Sequence, residues 1–167
     1  MSETEAVQEE ETSRAEKAEA LIKKHLYASV VAGAIPIAYF DLIAVTAVQQ
    51  KLVHSLAKLY ETKYSEALGR SALSSLLSFG LANGGKRVVA ASAAKLIPGF
   101  GTLLGITANA GLSAAATYAI GRAFTAHFES GGTLLTFDAE KIEAYYREQF
   151  GAAQKEPDRI SWAGTKP

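Results

Sequence analysis

Cysteine is missing altogether from these 167 residues. Disulfides and thiolate metal sites are therefore excluded, which is compatible with a reducing compartment. Net charge is missing too, since 17 Lys and Arg balance 17 Asp and Glu. No global field points to nucleic acid, and no nucleic-acid partner is expected. The chain holds one Trp (Trp162) and one Met, against 14 Gly. An apolar composition dominated by small residues favours close helix–helix contact over a bulky aromatic core. The N-terminus is acidic, so a secretory signal peptide with a basic n-region is not expected.

Catalytic signatures are equally scarce. His25, His54 and His127 lie far apart and show no paired-ligand spacing, so no metal site is expected. No serine has a nucleophile-elbow context. Gly84-Gly85-Lys86 lacks the upstream Gly and the following Ser or Thr of a phosphate loop. The sequence reads as non-enzymatic, with no catalytic residue and no cofactor.

What is present is strongly uneven. Residues 1–20 hold seven Glu against Arg14 and Lys17. They read as a disordered acidic tail. Residues 21–150 read as a helical domain, and residues 151–167, with Pro157 and Pro167, as a loose C-terminal tail.

The first long apolar run covers residues 26–50, and its only charge is Asp41. As one helix it would be about 37 Å long, enough to cross a bilayer core of about 30 Å. Pro36 argues against one helix, because proline removes a hydrogen bond and kinks or breaks the chain. Asp41 argues against a deep span, at a cost of roughly 2.5–3.5 kcal/mol at mid-membrane. The spacing instead predicts a hairpin. One helix ends near Ile35 and another begins at Pro36 or Asp41, with Asp41 as N-cap or first-turn carboxylate. Lys23 and Lys24 on one side and Lys51 on the other place cations at both feet.

The second arm runs on without a breaker. Leu52, Leu56, Leu59, Tyr60 and Tyr64 recur at helical spacing, with Lys51, Lys58, Glu61 and Glu66 elsewhere. Gly69 reads as the end of this amphipathic helix. A single helix from Asp41 to Leu68 with its stripe in a soluble core is the plainer alternative. Residues 71–94 form a weaker pair of helical arms around a turn at Asn83-Gly84-Gly85.

The second long run lies between Lys95 and Arg122, with no charge in between. Pro98 marks a helix entry. Gly101 and Gly105, then Ala110 and Ala114, have the small-xxx-small spacing that lets two helix backbones approach closely. Asn109 is the one strong polar side chain within, available to a neighbouring helix. Glu129-Ser130-Gly131-Gly132 ends the helix. Asp138 is a good N-cap for a last helix over residues 139–150, with Ile142, Tyr145, Tyr146 and Phe150 on one side.

Two stretches carry a family likeness. Ile35-Pro36 through Asp41, Leu42, Val45, Gln49 and Leu52 to Tyr60 is one; KLIPGFGTLLG followed by residues 114–138 is the other. Together they resemble the bacterial domain-of-unknown-function family 697 (DUF697, the YcjF-like family). That family is found fused to or beside Era-like GTPase domains and is regarded as membrane-associated. It has no established reaction, so the resemblance supplies no catalytic residues. It implies a stand-alone copy acting with a separate GTPase-domain protein or with none.

The expectation is therefore an all-α protein of five or six helices, with two hairpins centred on residues 26–60 and 72–128. Membrane lipid is the expected partner, with Lys23, Lys24, Lys51, Lys95 and Arg122 flanking the apolar runs. A GTPase-domain protein and a second copy of the chain are further partners. The expected location is a bacterial inner membrane, integral or peripheral on its cytoplasmic side, with the cytoplasm as the alternative. Two other functions remain open: a soluble self-associating helical scaffold, and a membrane-remodelling protein that inserts conditionally.

Overall fold

The computed structural model describes residues 3–33, 40–79 and 100–155, and all their side chains except those of residues 3, 33, 40–42 and 100–110. These residues form five helices and no strand, so the fold is all-α as expected. The helices are α1 (Glu3–Gly33), α2 (Phe40–Leu59), α3 (residues 66–79), α4 (Phe100–Glu129) and α5 (Ala139–Lys155). Helix α1 packs on α2 and α4, α4 on α5, and α2 on α4.

The first correction concerns residues 3–20. They are not a separate tail but the first half of α1. Glu, Ala, Lys, Gln and Arg are strong helix formers, and Arg14 pairs with Glu10 one turn back at 2.7 Å. Residues 4–12 are exposed, but from Ala18 onward α1 joins the core. Its buried face is Ala18, Ile22, His25, Leu26, Ser29 and Ala32, a three–four spacing that turns one stripe inward.

Two helices share the run 26–50. Helix α1 stops at Gly33 and α2 starts at Phe40, while Pro36 lies outside the described residues. Asp41 is the second residue of α2, in its first turn. Among the described residues, no helix is long and apolar enough to cross a membrane. Even α4, 30 residues long, is built of Ala, Gly and Thr, which lie near neutral on insertion scales.

The second correction is the end of α2. It stops at Leu59 rather than running on to Leu68. Thr62 N–H donates to Ala57 O at 2.9 Å and Glu61 N–H to Lys58 O at 3.2 Å. Glu61 has φ 55°. This is the paired-bond Schellman closure, made by a residue that prefers to avoid the left-handed region. Gly69 ends nothing: it lies inside α3, buried, with its N–H on Ser65 O at 2.8 Å.

The end of α4 follows expectation. Gly131 (φ 80°) and Gly132 close it with the same bond pair, to Phe128 O at 3.0 Å and His127 O at 2.9 Å. Asp138 caps α5 as predicted, its Oδ1 accepting from the N–H groups of Glu140 and Lys141. Lys141 beside it holds its carboxyl below the ordinary value. Helix α5 then runs to Lys155, with Ala153 buried, so residues 151–155 belong to the domain and not to the loose tail.

The core sits where α1, α2, α3 and α4 meet. Leu52, Val53, Leu56, Leu73, Leu76, Ile120 and Phe124 are fully buried there. The turn after α4 folds back over it. Phe137 stacks on Phe124 at 4.7 Å between ring centroids, and Leu134 is buried.

Candidate functional site

The two ends of the bundle differ in kind. At the α1–α2 hairpin end, α1 presents the exposed stripe Lys23, Tyr27, Val31 at i, i+4 spacing. Helix α2 presents the exposed stripe Ile43, Ala47, Lys51 at the same spacing. Residues four apart lie on one helix face. Val31 and Ile43 are 70 % and 66 % exposed, although water penalises both. Val31 stands two residues before the end of α1 and Ile43 three residues after the start of α2. Val31 therefore lies in the last turn of α1 and Ile43 in the first turn of α2. Lys23, Lys24 and Lys51 are all exposed. They stand about 12 Å back from those two residues, at 1.5 Å per helical residue.

Beneath this end the interior is partly polar. Gln49 is 1 % exposed and its Nε2 donates to Thr117 Oγ1 at 3.2 Å, joining α2 to α4. Ser29, fully buried, donates to Leu26 O at 2.8 Å. His25 is buried with Nδ1 2.8 Å from Leu21 O. Burial pushes its pKa below the ordinary histidine value, with Lys24 and Lys51 adding to the effect and the Leu21 bond opposing it.

The opposite end is charged and aromatic. Arg122, expected as a membrane-flanking cation, instead faces α1 and α5 and is about two-fifths exposed. Its Nη1 lies 3.4 Å from Glu19 Oε2, and it also bonds Tyr145. Tyr60 donates to Glu129 Oε1 at 2.9 Å, tying the ends of α2 and α4 together. Burial, then that bond, pushes the Tyr60 phenol up. Burial alone pushes Tyr146 up to about 12. A cavity of about 220 Å³ lies between α1, α4 and α5, lined by Ala18, Glu19, Arg122, Thr125, Glu129 and Tyr145 among others. Thr125 Oγ1 and Arg122 Nε have no protein partner. The cavity has room for several waters to satisfy them.

Of the small residues named as pairs from sequence, most lie beyond the described side chains. Gly101, Gly105 and Ala110 lie in α4 with side chains outside the described set, as does Asn109. Ala114 is buried. Pro98 and Lys95 lie outside the described residues. Among the described residues, α4 comes close to α1 at Gly121: a Cβ there would fall 2.5 Å from the Ile22 side chain. Its signal in the sequence was a glycine inside an otherwise Ala-rich helix, which is uninformative without the partner. Among the described residues no three His, Asp or Glu converge as a metal cluster.

The family model described as "Domain of unknown function (DUF697)" matches residues 2–155. Magnetosome membrane protein 22 of Magnetospirillum gryphiswaldense is 41 % identical over 133 residues, which is 80 % of this chain and 68 % of that protein. No solved structure matches the chain.

Proposed function

The chain belongs to the DUF697 family, and on that premise we propose that it is a non-catalytic, membrane-associated helical module that anchors, recruits or is regulated by a GTPase-type partner. The observation that carries the membrane part is the 41 % identity, across four-fifths of the chain, to a protein named for the magnetosome membrane. The exposed Val31 and Ile43, backed by exposed lysines, support it from the geometry. The GTPase part rests on the company that the family keeps. The charged end, with Glu19, Arg122, Glu129 and the exposed acidic half of α1, is the surface left for such a partner.

Fractionation of bacteria expressing the chain tests the reading. The expected result is recovery in the membrane pellet, with release by alkaline carbonate, because among the described residues no helix suits a span. Full recovery in the soluble fraction overturns it and leaves the self-associating scaffold. For the partner, crosslinking in cells followed by a GTP-hydrolysis assay of the co-isolated material is the measurement. No hydrolysis above background would limit the function to anchoring.

A further inference from the structure

We propose that two copies of this chain pair antiparallel along the outer face of α1, each laying its acidic half on the lysine half of the other about a two-fold axis. This goes beyond the reading above and stands without it. Of the charged surface described there, it assigns the acidic half of α1 to a second copy and leaves Arg122 and Glu129 to the GTPase-type partner. Helix geometry sets the face. Each residue turns about 100°. The buried Ile22, His25 and Ser29 lie within about 40° of Ala18. Glu9, Glu16 and Lys23 lie at about 140–180° from Ala18, and Glu10, Lys17 and Lys24 at about 240–280°. All six are exposed. Between these two flanks runs a strip of Ala6, Ser13, Ala20 and Tyr27, one residue per heptad, on the side of α1 away from the core. Ala6, Ser13 and Ala20 are small, so two backbones can come close along it.

The order of the charges on this face is its own complement. About the midpoint between Glu16 and Lys17, Glu10 mirrors Lys23 and Glu9 mirrors Lys24. Turned end for end, a second α1 sets its Lys23 beside Glu9 on one flank and its Lys24 beside Glu10 on the other, twice each by symmetry. Ser13 then falls opposite Ala20, and Ala6 opposite Tyr27. At the crossing Glu16 meets Glu16 on one flank and Lys17 meets Lys17 on the other, so four attractive contacts stand against two repulsive ones of similar size. A parallel pair in register sets every acid on an acid and every lysine on a lysine. The helix dipole does not account for this order. It acts within the first and last turn, whereas Glu9 stands six residues inside α1 and Lys24 nine residues before its end. Pairing within the helix does not account for it either: Glu10 takes Arg14 one turn on, but that contact is exposed and of small worth. Residues 4–12 are all exposed. A helical stretch that short gains little from its own hydrogen bonds, and the second copy gives it a surface to lie on. Lys23 and Lys24 also stand behind Val31, so a second copy and an anionic surface compete for them.

Sedimentation of the purified full-length chain is the test. The parent should sediment as two copies at about 0.05 M salt and as one at about 0.5 M, because exposed charges are screened. Glu9→Lys with Glu10→Lys makes positions 9, 10, 23 and 24 all cationic, and Lys23→Glu with Lys24→Glu makes them all anionic. Each double variant alone should associate at least about tenfold more weakly than the parent, since every flanking attraction becomes a repulsion. An equal mixture of the two should restore the pair, which also shows that both are folded. Direction is read by crosslinking. The chain has no cysteine of its own, so oxidation of a mixture of Ser13→Cys and Ala20→Cys should join position 13 of one copy to position 20 of the other, and each variant alone should crosslink little. A parent that stays single at low salt overturns the proposal. So does a mixture of the charge variants no more associated than its parts, even if the parent pairs, because the interface then lies elsewhere. Ready crosslinking of each cysteine variant to itself means a parallel pair and overturns the antiparallel one. Fractionation decides the membrane reading separately.

Discussion

The hairpin end and the opposite end of the bundle spend their side chains differently. At the opposite end, Phe124, Phe128, Phe137 and Tyr146 belong to one packed core, and the Tyr60–Glu129 bond ties the ends of α2 and α4 beside them. At the hairpin end, large apolar side chains face water and the interior carries Gln49, Thr117, Ser29 and His25. Fold stability is concentrated where the aromatics are. The hairpin end exposes apolar surface that folding does not use, and an exposed apolar patch rimmed by cations marks a surface made for something outside the chain. The difference separates folding from function along one molecule.

That separation is open to attack by mutation. The largest expected effect on stability is at the aromatic end: Phe124→Ala should cost roughly 3–5 kcal/mol by leaving a cavity under Phe137 and Phe128, read as a fall in the urea midpoint. A loss below about 1 kcal/mol would show that the aromatic end is not the foundation. Alkaline titration comes next. The Tyr146 phenol is held neutral by burial, with its pKa raised from 10.0 to about 12. Stability from this group is complete below pH 10 and is lost as pH rises from 10 toward 12, by about 2–3 kcal/mol. Tyr146→Phe should flatten that part of the pH profile. Gly121→Val should cost on the order of 1–3 kcal/mol through overlap with Ile22; an unchanged thermal midpoint would show that α1 and α4 are free to part. Glu61→Gly should stabilise by about 1 kcal/mol, because glycine takes the left-handed φ without strain. The smallest effect is expected at the hairpin end, where Val31→Ser with Ile43→Ser should leave stability within about 0.5 kcal/mol while membrane association drops. If these variants destabilise the fold as much as Phe124→Ala, the two ends do not divide the labour.

The two Schellman closures show why part of the fold was legible and part was not. Gly131-Gly132 announces a left-handed stop by composition, and α4 ends there. Glu61 carries no such signal, and an apolar stripe continues past it through Tyr60 and Tyr64. Helix α2 ends at Leu59 because the chain must turn back into α3, with Leu73 and Leu76 in the same core. The acidic half of α1 failed as a sequence reading for a similar reason. Its docking residue Ala18 is small, and the groups that hold this region, Gly121 and Arg122, lie about a hundred positions away. Local context alone makes Arg122 a cation flanking an apolar run; its partners Glu19 and Tyr145 sit on two other helices. Gln49, one of the residues on which the family resemblance rested, pairs with Thr117 across 68 positions.

Local chemistry therefore determined the all-α class, the stop at Gly131, the cap at Asp138 and the inward stripe of α5. Each depends on backbone bonds or side-chain spacing within a turn or two. It also determined the two long apolar runs and the lysines beside them. Tertiary structure alone decided which apolar residues are spent on the core and which, Val31 and Ile43, are left facing outward. That choice depends on where α1, α2 and α4 meet, and residues distant in sequence fix the meeting.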